Sequence, residues 1–331
     1  MAEDSEYFSS FIDIDKRPSF SSKHEISPEN FQKLIGEYKF TEDVICQVKA
    51  LNGVCHQKHK SGWLGVTADG FEVLIGGHCA RKYFKADKSF TNERNRVRKE
   101  IDRKKALHKL KDYRDKSLIM NEELSYLRAT IINTRVILDQ ILKSFPNAVL
   151  SFITNAQKTH SWDIKIDVLQ KFNDDNNPIW VTSSLGNLKS LPYMYEVISL
   201  MTRAKSLAEK FSEACSLNPE DLSTPKLKRI IETLNDKDDL IKSATSLSHE
   251  VTRFIDTKNL ELLIFVCDNY EEEFLATRAI MAISGAKVST DGHVNLRLRR
   301  IKDKTTKLFD GKLIRKNQIV EKFQRSKAFT S

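Results

Sequence analysis

The chain is poor in turn-forming residues: its 331 positions hold 11 glycines and 7 prolines, and aromatics make up 9%. A sandwich or barrel of many short strands needs frequent turns, so this balance argues against a mostly-β fold and for charged amphipathic helices. No apolar run reaches the length of a bilayer crossing, and Met1-Ala2-Glu3-Asp4-Ser5-Glu6 lacks the basic-then-apolar layout of a secretory signal. The expectation is a soluble, cytoplasmic protein. Cysteine is scarce as well. Five is an odd number and three of the five cluster with histidines, so a disulfide framework is not expected and the thiols read as reduced ligands or core residues.

Catalytic signatures are also missing. The chain has no G-x-x-x-x-G-K followed by Ser or Thr, no G-x-G-x-x-G and no G-x-S-x-G. The reading is therefore of a binding protein and not an enzyme. The acidic run Asp268, Glu271, Glu272 and Glu273 reads as a solvated helix face.

What the chain does have is a dense Cys/His segment, Cys46…Cys55-His56-Gln57-Lys58-His59…Gly76-Gly77-His78-Cys79. Thiolate and imidazole are the ligands of closed, tetrahedral structural zinc sites. Trp63-Leu64-Gly65-Val66-Thr67 and Phe71-Glu72-Val73-Leu74-Ile75 are β-prone runs joined by Ala68-Asp69-Gly70, which predicts a hairpin. If Thr67 faces Phe71, Trp63 faces Ile75, and extending the ladder puts His59 opposite Cys79. Cys55-x3-His59 has the spacing of one helical turn or a tight knuckle, and Cys79 opens a helix, a setting that stabilises thiolate. The fourth ligand is Cys46, on an expected strand from Glu42 to Val48, with His78 as its competitor. No His-Glu-x-x-His and no His-x-Glu with Pro-Cys-x-x-Cys accompanies the cluster, so a zinc ion here is structural. The order of knuckle, hairpin and helix-opening Cys79, together with Gly62-Trp63, Asp69-Gly70-Phe71 and Lys82-Tyr83-Phe84, resembles treble-clef and zinc-ribbon modules. In particular it is similar to zinc-binding heads ahead of coiled coils in uncharacterised bacterial and phage proteins. That resemblance spans about residues 42 to 90 and implies zinc without implying an activity.

A formal charge of +9 points to polyanionic partners. Arg94, Arg96, Arg98, Lys99, Arg103, Lys104 and Lys105 crowd the segment after the head, and Arg297, Arg299, Arg300, Lys312, Arg315 and Lys316 crowd the C-terminal end. They are the candidate nucleic-acid contacts, largely non-specific since aromatic interleaving is thin. Against this stands ordinary pairing along the helix with Glu93, Glu100 and Asp102. Leu124, Leu127, Ile131, Thr134, Leu138, Ile141 and Phe145 step by three and four, the pattern of a coiled-coil seam that a second copy or another helix of the same chain must cover.

The fold expected is α+β and predominantly helical. It comprises an N-terminal arm (1–41) with a short helix capped by Ser27-Pro28, a zinc-binding hairpin module (42–90), a long basic and coiled-coil-forming helix (91–145), a helical body (146–285) and a basic β-rich end (286–331). In that end Val294, Leu296 and Leu298 alternate with Asn295, Arg297 and Arg299 as a strand would. The functional expectation is a zinc-containing nucleic-acid-binding protein, with an oligomeric coiled-coil adaptor for protein partners as the alternative.

Overall fold

The computed structural model describes residues 5–50, 53–286 and 290–317. It is a mixed α+β structure in which helix dominates, as expected. The chain divides into two compact units, residues 1–117 with 211–232, and residues 118–210 with 233–331.

The first unit is built on a four-stranded sheet of order β1-β2-β5-β6. Strand β1 (Glu6–Phe8) leads into helix α1 (Phe11–Asp15), then β2 (Phe31–Ile45), the short pair β3 (Lys49–Ala50) and β4 (Gly53–Val54), and the hairpin β5 (Lys58–Thr67) and β6 (Glu72–Gly76). Helices α2 (Gly77–Tyr83) and α3 (Lys88–Asp115) follow. The hairpin has the register read from the sequence: Trp63 faces Ile75, the Thr67 N–H donates to the Phe71 carbonyl, and Gly70 takes the positive φ of +89° that the turn requires. Alternation splits the hairpin between two cores. Trp63, Val73 and Ile75 pack with Phe84, Phe90, Val97 and Ile101 of the α2–α3 region, while Leu64, Val66 and Leu74 pack with Phe8, Ile14, Tyr38 and Phe40.

The helix expected from Ser27 to Ile35 is instead a turn entering β2. Asn30 Oδ1 accepts from the Ser27 N–H at 2.7 Å and Asn30 Nδ2 donates to the Glu25 carbonyl, so the capping residues close a loop. Gly36 lets β1 lie parallel against β2, since a β-carbon there would come within 2.2 Å of the Glu6 carbonyl oxygen. Helix α3 begins at Asp87, whose carboxylate accepts from the Ser89 and Phe90 N–H groups, and ends at Lys116.

The second unit opens with α4 (Ser117–Ser144) and α5 (Asn147–Thr159), then the hairpin β7 (Asp163–Phe172) and β8 (Pro178–Asn187). Helices α6 (Met194–Ser216) and α7 (Thr224–Asn235) contribute residues to both units. They are followed by α8 (Lys237–Phe254), α9 (Thr257–Glu261), a 3-10 turn over Leu262–Val266, α10 (Tyr270–Ile283), α11 (Asp291–Leu308) and β9 (Ile314–Lys316). Strands β8, β7 and β9 form an antiparallel sheet in that order. Helix α10 ends as expected at Gly285 (φ +70°), with the Ala286 N–H donating back to the Met281 carbonyl.

The C-terminal strand reading holds only for β9. Residues 291–308 are helical, because Val294, Leu298, Ile301 and Thr305 are buried at steps of four, three and four, a longer pattern than the brief alternation within it. Among the described residues no helix is long and apolar enough to cross a membrane.

The α4 seam is covered within the single chain: Leu127, Ile131, Thr134, Leu138, Ile141 and Phe145 are all buried, and Leu124 is half-buried. Lys237 of α8 pairs with Glu123, and Arg135 Nη1 reaches Met201 Sδ of α6. Leu127→Ala is expected to cost about 2–5 kcal/mol, with a denaturation midpoint shift that does not vary with protein concentration. A concentration-dependent shift in equilibrium unfolding would mean that a second copy covers the seam.

Candidate metal centre

Three local structures bring the cysteines together. Cys46 follows the last residue of β2, and the β3–β4 pair turns the chain back on itself, with Lys49 opposite Val54 and Ala50 opposite Gly53. The Cys46 N–H donates to the Gln57 carbonyl, the His56 N–H donates to the Cys46 carbonyl, and the Cys55 N–H donates to the Val48 carbonyl. Cys55 is thereby returned to the side of Cys46. Cys79 arrives from the other direction, on the first turn of α2 immediately beyond β6. The three Sγ atoms lie within 4.8 Å of one another, and those of Cys55 and Cys79 are 3.2 Å apart. Cys46 and Cys79 are buried and Cys55 is half-buried.

The cluster fits a metal ion. Tetrahedral coordination with metal–sulfur bonds of about 2.3 Å separates sulfurs by about 3.8 Å, within the observed spread. The Gly76 N–H points at Cys46 Sγ at 3.4 Å, a donor of the kind that supports a bound thiolate. Burial pushes the Cys46 thiol up. It does the same to Cys79, whose hydrogen bond to Cys55 and proximity to Cys46 add to the effect. Three thiolates packed this closely repel one another, and a cation relieves that repulsion.

His59 lies outside this group of three. Its cross-strand partner is Val44 of β2, and the β5–β6 ladder stops at Gly62–Gly76 because Gly77 begins α2, so His59 and Cys79 never become cross-strand neighbours. The imidazole instead covers Gly76, where a β-carbon would sit 2.1 Å from His59 Cδ2. His59 Nε2 is 3.4 Å from Tyr38 Oη, and Nδ1 is buried without a hydrogen-bond partner. Burial also lowers the His59 pKa, favouring the neutral form that ligates metals. Gly76 thus touches both Cys46 Sγ, through its N–H, and the His59 ring, through its Cα. His78 is exposed on α2. Tyr38 and Gly76, which frame the imidazole, carry no recognisable ligand signal of their own. Only the Gly76-Gly77 pair ahead of His78-Cys79 marks the place in the sequence.

The other cysteines lie elsewhere. Cys215 is exposed, while Cys267 is buried with its thiol donating to the Leu263 carbonyl, and is pushed up to about 12 by burial and by Glu272 and Glu273. The acidic run is engaged in pairing: Asp268 with Lys316 and Glu273 with Lys302. No further metal-type cluster occurs among the described residues.

Most of the candidate nucleic-acid contacts hold the fold itself. Arg96 bonds to Glu93, Glu100 and the Leu34 carbonyl. Arg98 pairs with Glu37 and lies over Trp63, and Arg103 donates to the carbonyls of Leu222 and Glu220. Lys104 donates to the Ser5 carbonyl, Lys105 lies over Tyr7, and Arg94 keeps its Nε buried without a partner. At the other end Arg297 pairs with Glu261, Arg299 with Asp303, Lys316 with Asp268, and Arg315 with Asp167 while lying over Trp180. Lys312 donates to Gln170. Lys99 and Arg300 are exposed, with no side-chain partner among the described residues.

Gly76→Ala tests the framing of the centre. The new methyl displaces the His59 ring and disturbs the Cys46 contact, so the expected result is weaker metal retention and a loss of about 1–3 kcal/mol in stability. Retention titrated with a chromophoric chelator and a denaturant curve measure the two effects. No protein-family model, no curated protein sequence and no solved structure matches the chain.

Proposed function

We propose that the protein binds nucleic acid without catalysing a reaction, through a head closed by one structural zinc ion held by Cys46, Cys55, Cys79 and His59. The carrying observation is the convergence of three thiols, with the His59 ring packed on the adjoining Gly76. Zinc suits a donor set rich in thiolate. With four protein ligands the shell is closed and leaves no open position for a substrate. His59 joins this reading because Gly76 contacts both Cys46 Sγ and the His59 ring, so a side-chain rearrangement of His59 would complete the set of four. The treble-clef likeness of knuckle, hairpin and helix agrees with a metal that supports structure. Nucleic acid is the partner favoured by the formal charge of +9.

The adaptor reading is favoured by a different observation: α4 exposes Leu118, Ile119, Tyr126 and Val136 away from its buried seam.

Metal analysis of purified protein is expected to find one zinc per chain, lost in Cys55→Ala and Cys79→Ala. Equal zinc in all three proteins would overturn the centre. For nucleic acid, log affinity for a generic duplex is expected to fall linearly with log salt, by about 0.9 per phosphate contacted. A protein-only adaptor shows no such binding.

A further inference from the structure

We infer that the surface meeting the phosphodiester backbone is the rim of the metal knuckle, centred on Lys58, Lys60 and Arg81, and not the basic face of α3. The inference rests on the nucleic-acid reading above and relocates its contact.

The α3 cations are the obvious choice by sequence, yet Arg96, Arg98 and Arg103 are held by Glu93, Glu100, Glu37 and backbone carbonyls, and the exposed Lys99, Lys109 and Lys111 are spread along the helix from 99 to 111. A cation already neutralised by a fixed carboxylate releases few counterions on meeting a phosphate, so it adds little to affinity. The knuckle differs. From Cys46 to Lys85 the chain carries six lysines and arginines against two acids. One of those acids, Glu72, is buried against Arg17, and the other, Asp69, sits in the turn at the opposite end of the hairpin.

The fold gathers these cations around the thiols. Cys55 and Cys79 touch at 3.2 Å, which brings together the exposed residues beside them, His56 and His78. A β-carbon on Gly77 would lie 3.6 Å from the Ser61 carbonyl, so the start of α2 is set against the strand that carries Lys58 and Lys60. Arg81 Nε donates to the Gly77 carbonyl at 3.2 Å, which folds the guanidinium back toward that same junction. Lys58, Lys60 and Arg81 are all exposed, and none has a carboxylate partner among the described residues. The exposed Glu42 and Asp43 lie on the irregular stretch of β2, where Asp43 acts on His59. Lys58 and Lys60 are two residues apart on one strand and so project to the same side, with the forked Arg81 beside them. These are donors for phosphates around one junction of the backbone, and a metal ion held by the thiols would fix the segments that carry them.

The test is fluorescence anisotropy with labelled generic DNA and RNA duplexes over a salt series, comparing wild type, Lys58→Gln/Lys60→Gln/Arg81→Gln and a control, Lys99→Gln/Lys109→Gln/Lys111→Gln. The knuckle variant is expected to keep its metal and thermal midpoint, to bind at least about tenfold more weakly, and to lose about 2–3 from the salt slope. The control should resemble wild type. A knuckle variant with wild-type slope, alongside a weakened control, overturns the inference and leaves the nucleic-acid reading standing. Salt-independent or absent binding by wild type overturns both, as does binding to anionic vesicles but to neither duplex. The single variants Lys58→Gln and Lys60→Gln guard against a folding defect, each expected to reduce the slope by about 0.9.

Discussion

The register of the β5–β6 pair is the constraint on which the first unit depends. With Trp63 opposite Ile75, one face of the hairpin offers large side chains to α3 and the other offers Leu64 and Leu74 to Tyr38 and Phe8. The same register sets Gly62 against Gly76 at the open end. Two glycines there leave room for Tyr38 Oη on one and the His59 ring on the other. A one-residue slip would exchange the two cores and carry α2, and Cys79 with it, away from Cys46 and Cys55.

Apolar packing and ion pairs have separate tasks around that sheet. Phe90, Val97 and Ile101 bury one stripe of α3, each contributing about 1.5–3 kcal/mol. Arg96, with Glu93 and Glu100, is partly exposed, and such pairs contribute at most about 1 kcal/mol each. Their effect is on orientation: the Arg96 guanidinium reaches the Leu34 carbonyl and Glu93 accepts the Leu34 N–H, so a charged pair on the helix docks to both polar groups of one strand residue. Dense positive charge along a helix is therefore compatible with a structural task, and cations without such partners are the more informative ones.

The hairpin was legible because alternation, length and an Asp-Gly turn all agree over Trp63–Ile75. The α4 seam was legible for the same reason, being long and strictly periodic; what covers it was not, since periodicity reveals a buried stripe without identifying its neighbour. Ser27-Pro28-Glu29-Asn30 failed as a helix start because the same polar groups serve a turn equally well, and the strand after it is chosen by the sheet. Val294–Arg299 failed because six residues fit both periods, and the deciding positions, Ile301 and Thr305, lie beyond them. At the metal centre the three cysteines were legible as a group. The place of His59 was not, because extending a ladder past Gly76 assumes a strand where the chain has turned into a helix.

The distribution of the thiols along the chain bears on the kinetics of the head. Cys46 and Cys55 are joined by a short local pairing that can close early. Cys79 reaches them only after β5 and β6 have aligned and α2 has begun. If that alignment is the rate-limiting step, a cation captured there would complete the structure after the folding barrier has been crossed. Interactions formed that late chiefly slow unfolding and leave the folding rate almost unchanged. An occupied centre would then act as a latch on a head that has already formed, governing how long it persists more than how fast it arises.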